Sequence, residues 1–240
     1  MQEKTPKVLG ILGGLGPMAT VYFYELLTMH TKAARDQDHI DVIINSRATT
    51  PDRTAYILGE SSENPFDIMA EDARRLVTFG ADVLAIPCNT AHYFYDRLNE
   101  TIPVPILNMI EETVLRAKSL GCRKVGILAT EGTVKTRTYQ RVCEAHGIAC
   151  EVPDDERQRM VMQVIYDDIK TGRPADMEKF CAAAQSLTDA GCTRLILGCT
   201  ELSLVKREQK LGPLYIDSME VLAEHAIRTF GKTPIGFETE

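Results

Sequence analysis

The chain has 240 residues, of which 44% are hydrophobic and 25% charged, a composition typical of a globular protein with a sizeable core. Its formal net charge of −7 and the lack of any basic run argue against a nucleic-acid partner. Its longest apolar stretches are shorter than the roughly 20 residues of a membrane-spanning helix. The N-terminal apolar run is broken by glycines and lacks a signal-peptide cleavage pattern, so we expect a cytoplasmic protein without a membrane partner.

Strand and helix patterns alternate along the whole chain. The first half predicts strands at Lys7–Leu12, Ile40–Ile44, Val83–Ile86 and Pro103–Leu107, and helices from Pro17, from Pro65, over Thr90–Asn99 and over Ile110–Leu120. The second half predicts strands at Lys124–Leu128, Arg194–Leu197 and Leu214–Ile216, helices over Val134–His146, Asp154–Thr171 and Ala175–Ala190, and a final helix. Residues 45–64 form a long polar segment, and a loop of that length within an α/β unit is usually functional.

Two stretches of the first half recur in the second half. KVLGILGG at residue 7 corresponds to KVGILATE at residue 124, and DVLAIPCNT at residue 82 corresponds to RLILGCTE at residue 194. We therefore predict an α/β fold of two similar lobes, each a parallel sheet flanked by helices, related by pseudo-two-fold symmetry with the active site between them. Residues 1–108 and 213–240 are assigned to the N-terminal lobe, to which the C-terminal helix returns, and residues 109–212 to the second lobe.

Both repeats end a strand in a cysteine, Cys88 in IPCNTAH and Cys199 in LGCTELS. Ligands of parallel sheets bind beyond the carboxyl ends of the strands, and a helix N-terminus there stabilises a thiolate. A thiolate and a thiol on opposite faces of one carbon would remove a proton from one side and return it on the other, which inverts a stereocentre.

The remaining cysteines give no disulfide or metal signature. The chain has seven cysteines, and none is part of a CxxC pair, so we expect free thiols in a reducing compartment. Cys88 with His92 and Cys143 with His146 have helical ligand spacing, but two ligands do not complete a zinc site. We predict no metal.

Polar residues beside the two cysteines fit a small carboxylate substrate. Asn89, Thr90, Thr130 and Thr200 offer donors at strand and helix ends, where they can bind a carboxylate and stabilise an enolate-like transition state. Arg53, in the long loop, could bind a second carboxylate in a bidentate pair.

Four motifs carry a resemblance to a known family: GGLGPMAT (13–20), PDRT (51–54), PCNTAH (87–92) and GCTEL (198–202). In this order they resemble the aspartate/glutamate racemase family, specifically its aspartate racemase branch. The resemblance implies a homodimeric isomerase without pyridoxal phosphate or another cofactor, which transfers a proton at the α-carbon between two opposed cysteines.

The resemblance also assigns roles by position. Cys88 and Cys199 are the acid/base pair, and Arg53 holds the distal carboxylate of a dicarboxylic amino acid. Lys170, in IYDDIKTG (165–172), faces the substrate's side chain. The α-carboxylate is held by Asn89, Thr90, Thr130 and Thr200.

One residue departs from the family pattern, and two other functions also fit the sequence. Glutamate racemases typically carry a histidine where this chain has Glu201, which leaves His92 as a candidate to tune a thiol. The run from Gly14 to Ala19 also fits the dinucleotide pattern G-x-G-x-x-A of an oxidoreductase, although Pro17 lacks an N–H. An amino-acid-binding or regulatory protein would need the same turns without the thiols. The sequence does not separate aspartate from glutamate, which differ by one methylene.

Overall fold

The computed structural model describes residues 7–237, and within this range seven strands form two sheets whose strands all run parallel. The first sheet has the order β2-β1-β3, and the second has the order β5-β4-β6-β7. The strands are β1 (Val8–Gly13), β2 (Asp41–Ser46), β3 (Val83–Ala85), β4 (Lys124–Ala129), β5 (Ala149–Glu151), β6 (Arg194–Gly198) and β7 (Tyr215–Asp217). The predicted two-lobe α/β fold is confirmed.

Helices connect the strands and cover both faces of each sheet. They are α1 (Pro17–Met29), α2 (Arg53–Leu58), α3 (Pro65–Thr78), α4 (Tyr95–Asn99), α5 (Met109–Ser119), α6 (Glu131–Lys135), α7 (Thr138–Ala145), α8 (Asp155–Gln163), α9 (Met177–Asp189), α10 (Thr200–Gln209) and α11 (Ser218–Thr229). Proline occupies the first position of α1 and α3, where its missing N–H costs no hydrogen bond. Among residues 7–237, no helix combines the length and the apolar character needed to cross a membrane.

Several predicted elements are more broken than expected. The helix predicted over Val134–His146 is two helices, α6 and α7, because Arg137 takes a left-handed conformation with φ 55°. Residues 90–94 form a 3-10 helix before α4, and α8 continues as a π-helical turn over residues 164–168 and a 3-10 turn over residues 169–171. The long polar segment contains α2, and β5 has no counterpart among the predicted strands.

The strand predicted at Pro103–Leu107 is only an isolated bridge. Ile106 pairs with Leu84, whose N–H donates to the carbonyl of Pro105 and whose carbonyl accepts from the N–H of Leu107. Pro103 and Pro105 have no N–H to donate, so the ladder cannot extend along this segment.

The internal repeat is visible in the register of the two sheets. Gly10 of β1 pairs with Leu84, and Gly126 of β4 pairs with Leu195. A Cβ built on Gly10 would lie 2.4 Å from Leu84, and one on Gly126 would lie 2.6 Å from Leu195 and 2.9 Å from Leu187 of α9. Each first strand therefore needs a glycine where a leucine of the neighbouring strand packs over it.

The end of the chain contacts both lobes. β7 pairs with β6 of the second sheet, whereas α11 packs against α1 as well as against α5. Residues 213–240 are predicted to return to the N-terminal lobe, but β7, which lies in this segment, pairs in the second sheet. The assignment of 1–108 with 213–240 against 109–212 stays a prediction, and residues 1–6 and 238–240 of it lie outside the described residues.

The packing over Gly126 gives a testable consequence. We expect Gly126→Ala to lower the free energy of unfolding by about 1–3 kcal/mol, because the added methyl overpacks the contact between β4 and α9. Gly212→Ala is the matched control, since nothing lies within 4 Å of a Cβ at that exposed position. Urea unfolding of both variants measures the difference, and equal stabilities would contradict this account of the packing.

Candidate active site

The two repeated cysteines lie where the carboxyl ends of the strands from both lobes meet. Cys88 follows β3 after Ile86 and Pro87, and Cys199 directly follows β6 and precedes the first residue of α10, Thr200. Both side chains are buried, with 5% of each residue exposed. This is the edge at which α/β proteins bind their ligands.

One small cavity between the lobes collects the predicted residues. Its volume is about 10 Å³, the space of a single water molecule. All eight predicted site residues line it, and so do five further residues; the full lining is Leu15, Asp52, Arg53, Thr54, Cys88, Asn89, Thr90, Thr130, Tyr166, Lys170, Cys199, Thr200 and Glu201. A wider cavity of about 430 Å³ adjoins it and shares Asp52, Arg53, Lys170 and Glu201 with it.

Three threonine hydroxyls tie the lobes together at this cavity. Oγ1 of Thr90 lies 2.9 Å from Oγ1 of Thr130 and 3.1 Å from Oγ1 of Thr133, and the latter two lie 3.1 Å apart. Thr130 also caps α6, accepting a hydrogen bond from the N–H of Thr133. Each hydroxyl can donate or accept, so the cluster can turn a donor toward an anion. Sequence reasoning missed Thr133, whose place three residues after Thr130 was the available signal.

Asn89 is held by a second network across the lobes. Its Nδ2 donates to Oγ of Ser218 at 3.0 Å, and its Oδ1 accepts from the hydroxyl of Tyr139 at 2.5 Å. Ser218 in turn donates to the carbonyl of Leu197 in β6. Asn89 therefore has one fixed orientation next to Cys88. No sequence pattern indicates these partners, which come from distant segments.

Arg53 is a buried cation on the first lobe. Its Nη2 donates to the carbonyl of Leu15 at 2.7 Å, and its Nη1 donates to the carbonyls of Pro51 and Thr50. Its Nε has no hydrogen-bond partner within residues 7–237. Burial lowers the pKa of Arg53, but the negative charges of Cys88 and Asp52 outweigh it and raise the pKa overall. Arg53 is therefore a fixed positive charge facing Cys88.

Lys170 supplies a second cation, from the other lobe. Its Nζ lies 3.6 Å from Oδ2 of Asp52 and 3.6 Å from the centroid of the Tyr166 ring. The Tyr166 hydroxyl donates to Asp52 at 3.2 Å. Burial lowers the pKa of Lys170, but Glu201 and other nearby anionic groups raise it overall, so the ammonium stays charged. Asp52 and Tyr166 were missed, although Asp52 stands in PDRT and Tyr166 lies four residues before Lys170.

Cys199 has an anionic neighbour on its own helix. Its Sγ donates a hydrogen bond to Oε2 of Glu201 at 2.9 Å, and the Thr200 hydroxyl lies 3.4 Å from the same oxygen. Burial, the charge of Glu201 and this hydrogen bond raise the pKa of the Cys199 thiol well above its usual range, although Lys170 opposes them.

Both ring nitrogens of His92 hydrogen-bond to backbone groups. Its Nδ1 lies 2.9 Å from the carbonyl oxygen of Cys88, and its Nε2 accepts the N–H of Met109 at 3.1 Å. A backbone N–H can only donate, so the ring is neutral with its proton on Nδ1. The imidazole thus fixes the turn after β3 against the start of α5, a positioning role in place of the suggested tuning of the thiol.

The glycine turn after β1 has a carboxylate beside it, where a dinucleotide would place its phosphates. A Cβ on Gly16 would lie 3.1 Å from Oε1 of Glu201, so this carboxylate already occupies the start of α1. A pyrophosphate at that helix start would meet a negative charge. Within the described residues, no group of three or more His, Cys, Asp and Glu side chains is arranged to hold a metal ion.

Comparison with known proteins identifies the family. The family model described as Asp/Glu/hydantoin racemase matches residues 12–226. The chain belongs to this family. Membership confirms the resemblance carried by the four motifs and makes the protein an isomerase of the racemase type.

Three relatives cover most of the chain. The broad specificity amino-acid racemase RacX of Bacillus subtilis (strain 168) is 29% identical over 236 residues, 93% of this chain and 98% of that protein. The structure of Picrophilus torridus aspartate racemase is similar with a TM-score of 0.80 and 30% identity, over 95% of this chain and 96% of that one. A glutamate racemase of Aquifex pyrophilus is 31% identical over 187 residues, 69% of each protein.

The buried imidazole of His92 makes stability depend on pH. Burial lowers its pKa below the ordinary value of 6.5, although its backbone hydrogen bonds partly oppose this. As pH falls through about 6.5, the His92 imidazole of the unfolded chain binds a proton that the buried imidazole of the folded protein does not bind. The free energy of unfolding therefore falls. The loss continues down to the lowered pKa of the folded state.

We therefore expect the stability advantage of the natural protein over His92→Gln to shrink as pH drops from about 7.5 to about 5.5. Urea unfolding of both proteins across this range measures the advantage directly. An advantage that stays constant with pH would contradict a neutral, buried His92.

Proposed function

We propose that this isomerase racemises aspartate, glutamate or both, without a cofactor, by proton transfer between Cys88 and Cys199 at the α-carbon. The observation that carries the proposal is the meeting of two thiols from opposite lobes with two cations in one buried cavity. The thiols supply a base and an acid, and the cations favour a substrate with a second carboxylate.

The chemistry balances with these two thiols alone. In one direction the Cys88 thiolate takes the α-proton and becomes a thiol, while the Cys199 thiol gives its proton to the opposite face of the α-carbon. The other enantiomer reverses both roles. Between the two transfers, negative charge spreads from the α-carbon into the α-carboxylate, where preorganised donors stabilise it. Asn89 and the Thr90–Thr130 hydroxyl pair support this role because their positions are fixed by hydrogen bonds.

Recognition of the distal carboxylate falls to Arg53 and Lys170. Three carbonyls hold the guanidinium of Arg53 in place, and its unpartnered Nε shares an edge with Nη2, the edge that binds a carboxylate through two parallel hydrogen bonds. Lys170 reaches the same cavity from the second lobe. Thr200, at the first position of α10, completes the set of donors for the α-carboxylate.

The substrate enters from the wider cavity. A cavity of about 10 Å³ cannot hold an amino acid, whereas the adjoining space of about 430 Å³ can. Binding therefore requires the lobes or the side chains at the boundary, Asp52 and Lys170, to move apart. The names of the relatives point to aspartate, to glutamate and to broad specificity, so both dicarboxylic amino acids belong in the assay. A homodimer and a cytoplasmic location remain predictions.

The decisive experiment is incubation of the reduced protein with L- and D-aspartate and glutamate in D₂O. We expect racemisation, measured by chiral chromatography, together with incorporation of deuterium at the α-carbon, measured by mass spectrometry. Cys88→Ser and Cys199→Ser should each lower kcat by about 100- to 10,000-fold, the usual contribution of a general acid or base. Cys181→Ser is the matched control, because that cysteine is exposed on α9.

The same experiment separates a racemase from an amino-acid-binding protein. A binding protein would retain its affinity after either cysteine substitution and would exchange no α-proton. Absence of both exchange and racemisation in the natural protein would refute the proposed activity.

Arg53 tests the dicarboxylic preference. We expect Arg53→Lys to lower kcat/KM for aspartate or glutamate by roughly 10- to 100-fold, since an ammonium cannot make the bidentate pair and leaves the Leu15 carbonyl unbonded. The ratio of kcat/KM for the dicarboxylic substrate to that for alanine should fall with it. An unchanged ratio would remove Arg53 from substrate recognition.

A further inference from the structure

The two cysteines are equivalent in the repeat, but their charged neighbours are opposite. Cys88 faces the guanidinium of Arg53, with which it lines the small cavity. Cys199 donates a hydrogen bond of 2.9 Å to the carboxylate of Glu201. A cation favours a thiolate and an anion favours a thiol. The site thus distinguishes its two thiols before any substrate binds.

Glu201 is fixed in the position from which it contacts Cys199. The residue is 6% exposed, and its Oε2 receives both the Cys199 thiol and the Thr200 hydroxyl. Its Oε1 lies against Gly16, where a Cβ would come within 3.1 Å. The glycine turn of the first lobe therefore makes room for a carboxylate of the second lobe.

We propose that Glu201 is a positioning residue that holds the proton on Cys199, so that Cys199 begins the reaction as the acid and Cys88 as the base. This assignment rests on the proposed racemase function, and it deepens it by giving each cysteine a starting role. The enantiomer whose α-proton faces Cys88 meets a Cys199 that already carries the proton it must donate.

The opposite enantiomer needs the reversed state. After both transfers, Cys88 is a thiol and Cys199 is a thiolate beside the Glu201 carboxylate, which like-charge repulsion disfavours. The free protein populates this state less, so the enantiomer that binds to it has the higher apparent KM. Because the two enantiomers are equal in free energy, kcat/KM must be the same in both directions. The asymmetry therefore changes KM and kcat by the same factor, so that their ratio stays equal for the two enantiomers.

Other charged groups also line the cavity, and they lie near the two thiols whichever cysteine carries the proton. Lys170, from the turn after α8, is the cation that opposes Glu201 at Cys199. The remaining titratable or charged residues that line the cavity are Asp52, Arg53 and Tyr166. Of the side chains around Cys199, Glu201 accepts the hydrogen bond of its thiol.

The test is the pH dependence of thiol alkylation by iodoacetamide, which reacts with the thiolate. In a Cys88→Ser background, Glu201→Gln should shift alkylation of Cys199 to lower pH and raise its rate at neutral pH about tenfold or more, the change that one pKa unit produces. In a Cys199→Ser background, the same substitution should leave alkylation of Cys88 unchanged. Glu224→Gln is the matched control, because Glu224 is also buried and ion-paired but contacts Arg116 and Arg228.

A second measurement needs no substitution. Limited iodoacetamide at neutral pH, followed by peptide mass mapping, should label Cys88 of the natural protein before Cys199, although each residue is 5% exposed. A Cys199 profile that Glu201→Gln does not move, or labelling of Cys199 first, would overturn the proposal.

Neither measurement requires turnover. A shifted Cys199 profile in a protein without racemase activity would keep the pairing of Glu201 with Cys199 and refute only the proposed function. Racemisation with an unshifted profile would do the reverse.

Discussion

The site depends on the buried hydrogen bonds that join the turn after β3 to the second lobe. The Thr90 hydroxyl meets those of Thr130 and Thr133, and Asn89 bonds to Tyr139 and Ser218. An unpaired buried polar group costs about 1–3 kcal/mol. Separating the lobes at this point would leave several of these groups without their hydrogen-bond partners. These bonds fix the distance between the two strand ends and, with it, the placement of Cys88 opposite the second lobe.

On this frame, a symmetric backbone carries an asymmetric set of charges. The paired glycines Gly10 and Gly126 show how closely the two sheets repeat each other, down to the leucine that packs over each strand. The charged side chains do not follow the repeat, because Arg53 begins α2 in the first lobe whereas Glu201 lies in α10 directly after Cys199. A duplicated fold can thus present two identical thiols and still place different charges beside them.

The sequence predicted which residues meet in space better than it predicted the elements around them. All eight chosen residues line one cavity, because strand ends of parallel sheets converge and motif position alone locates them. The break at Arg137, the single bridge at Ile106 and the short β5 were missed, since each depends on local backbone geometry or tertiary pairing that periodicity does not encode. Tyr139 and Ser218 were missed for a related reason: they reach Asn89 from segments distant in sequence.

The contacts across the cavity differ in strength, and the weakest of them borders the wider cavity. The threonine and asparagine networks are buried, short and complete. The Asp52–Lys170 contact is longer, at 3.6 Å, and joins side chains that are 36% and 26% exposed, a setting in which ion pairs contribute little. It also borders the wider cavity. Under the proposed function, a substrate carboxylate would replace Asp52 at Lys170 without leaving the ammonium unpaired, so the substrate itself would open this contact.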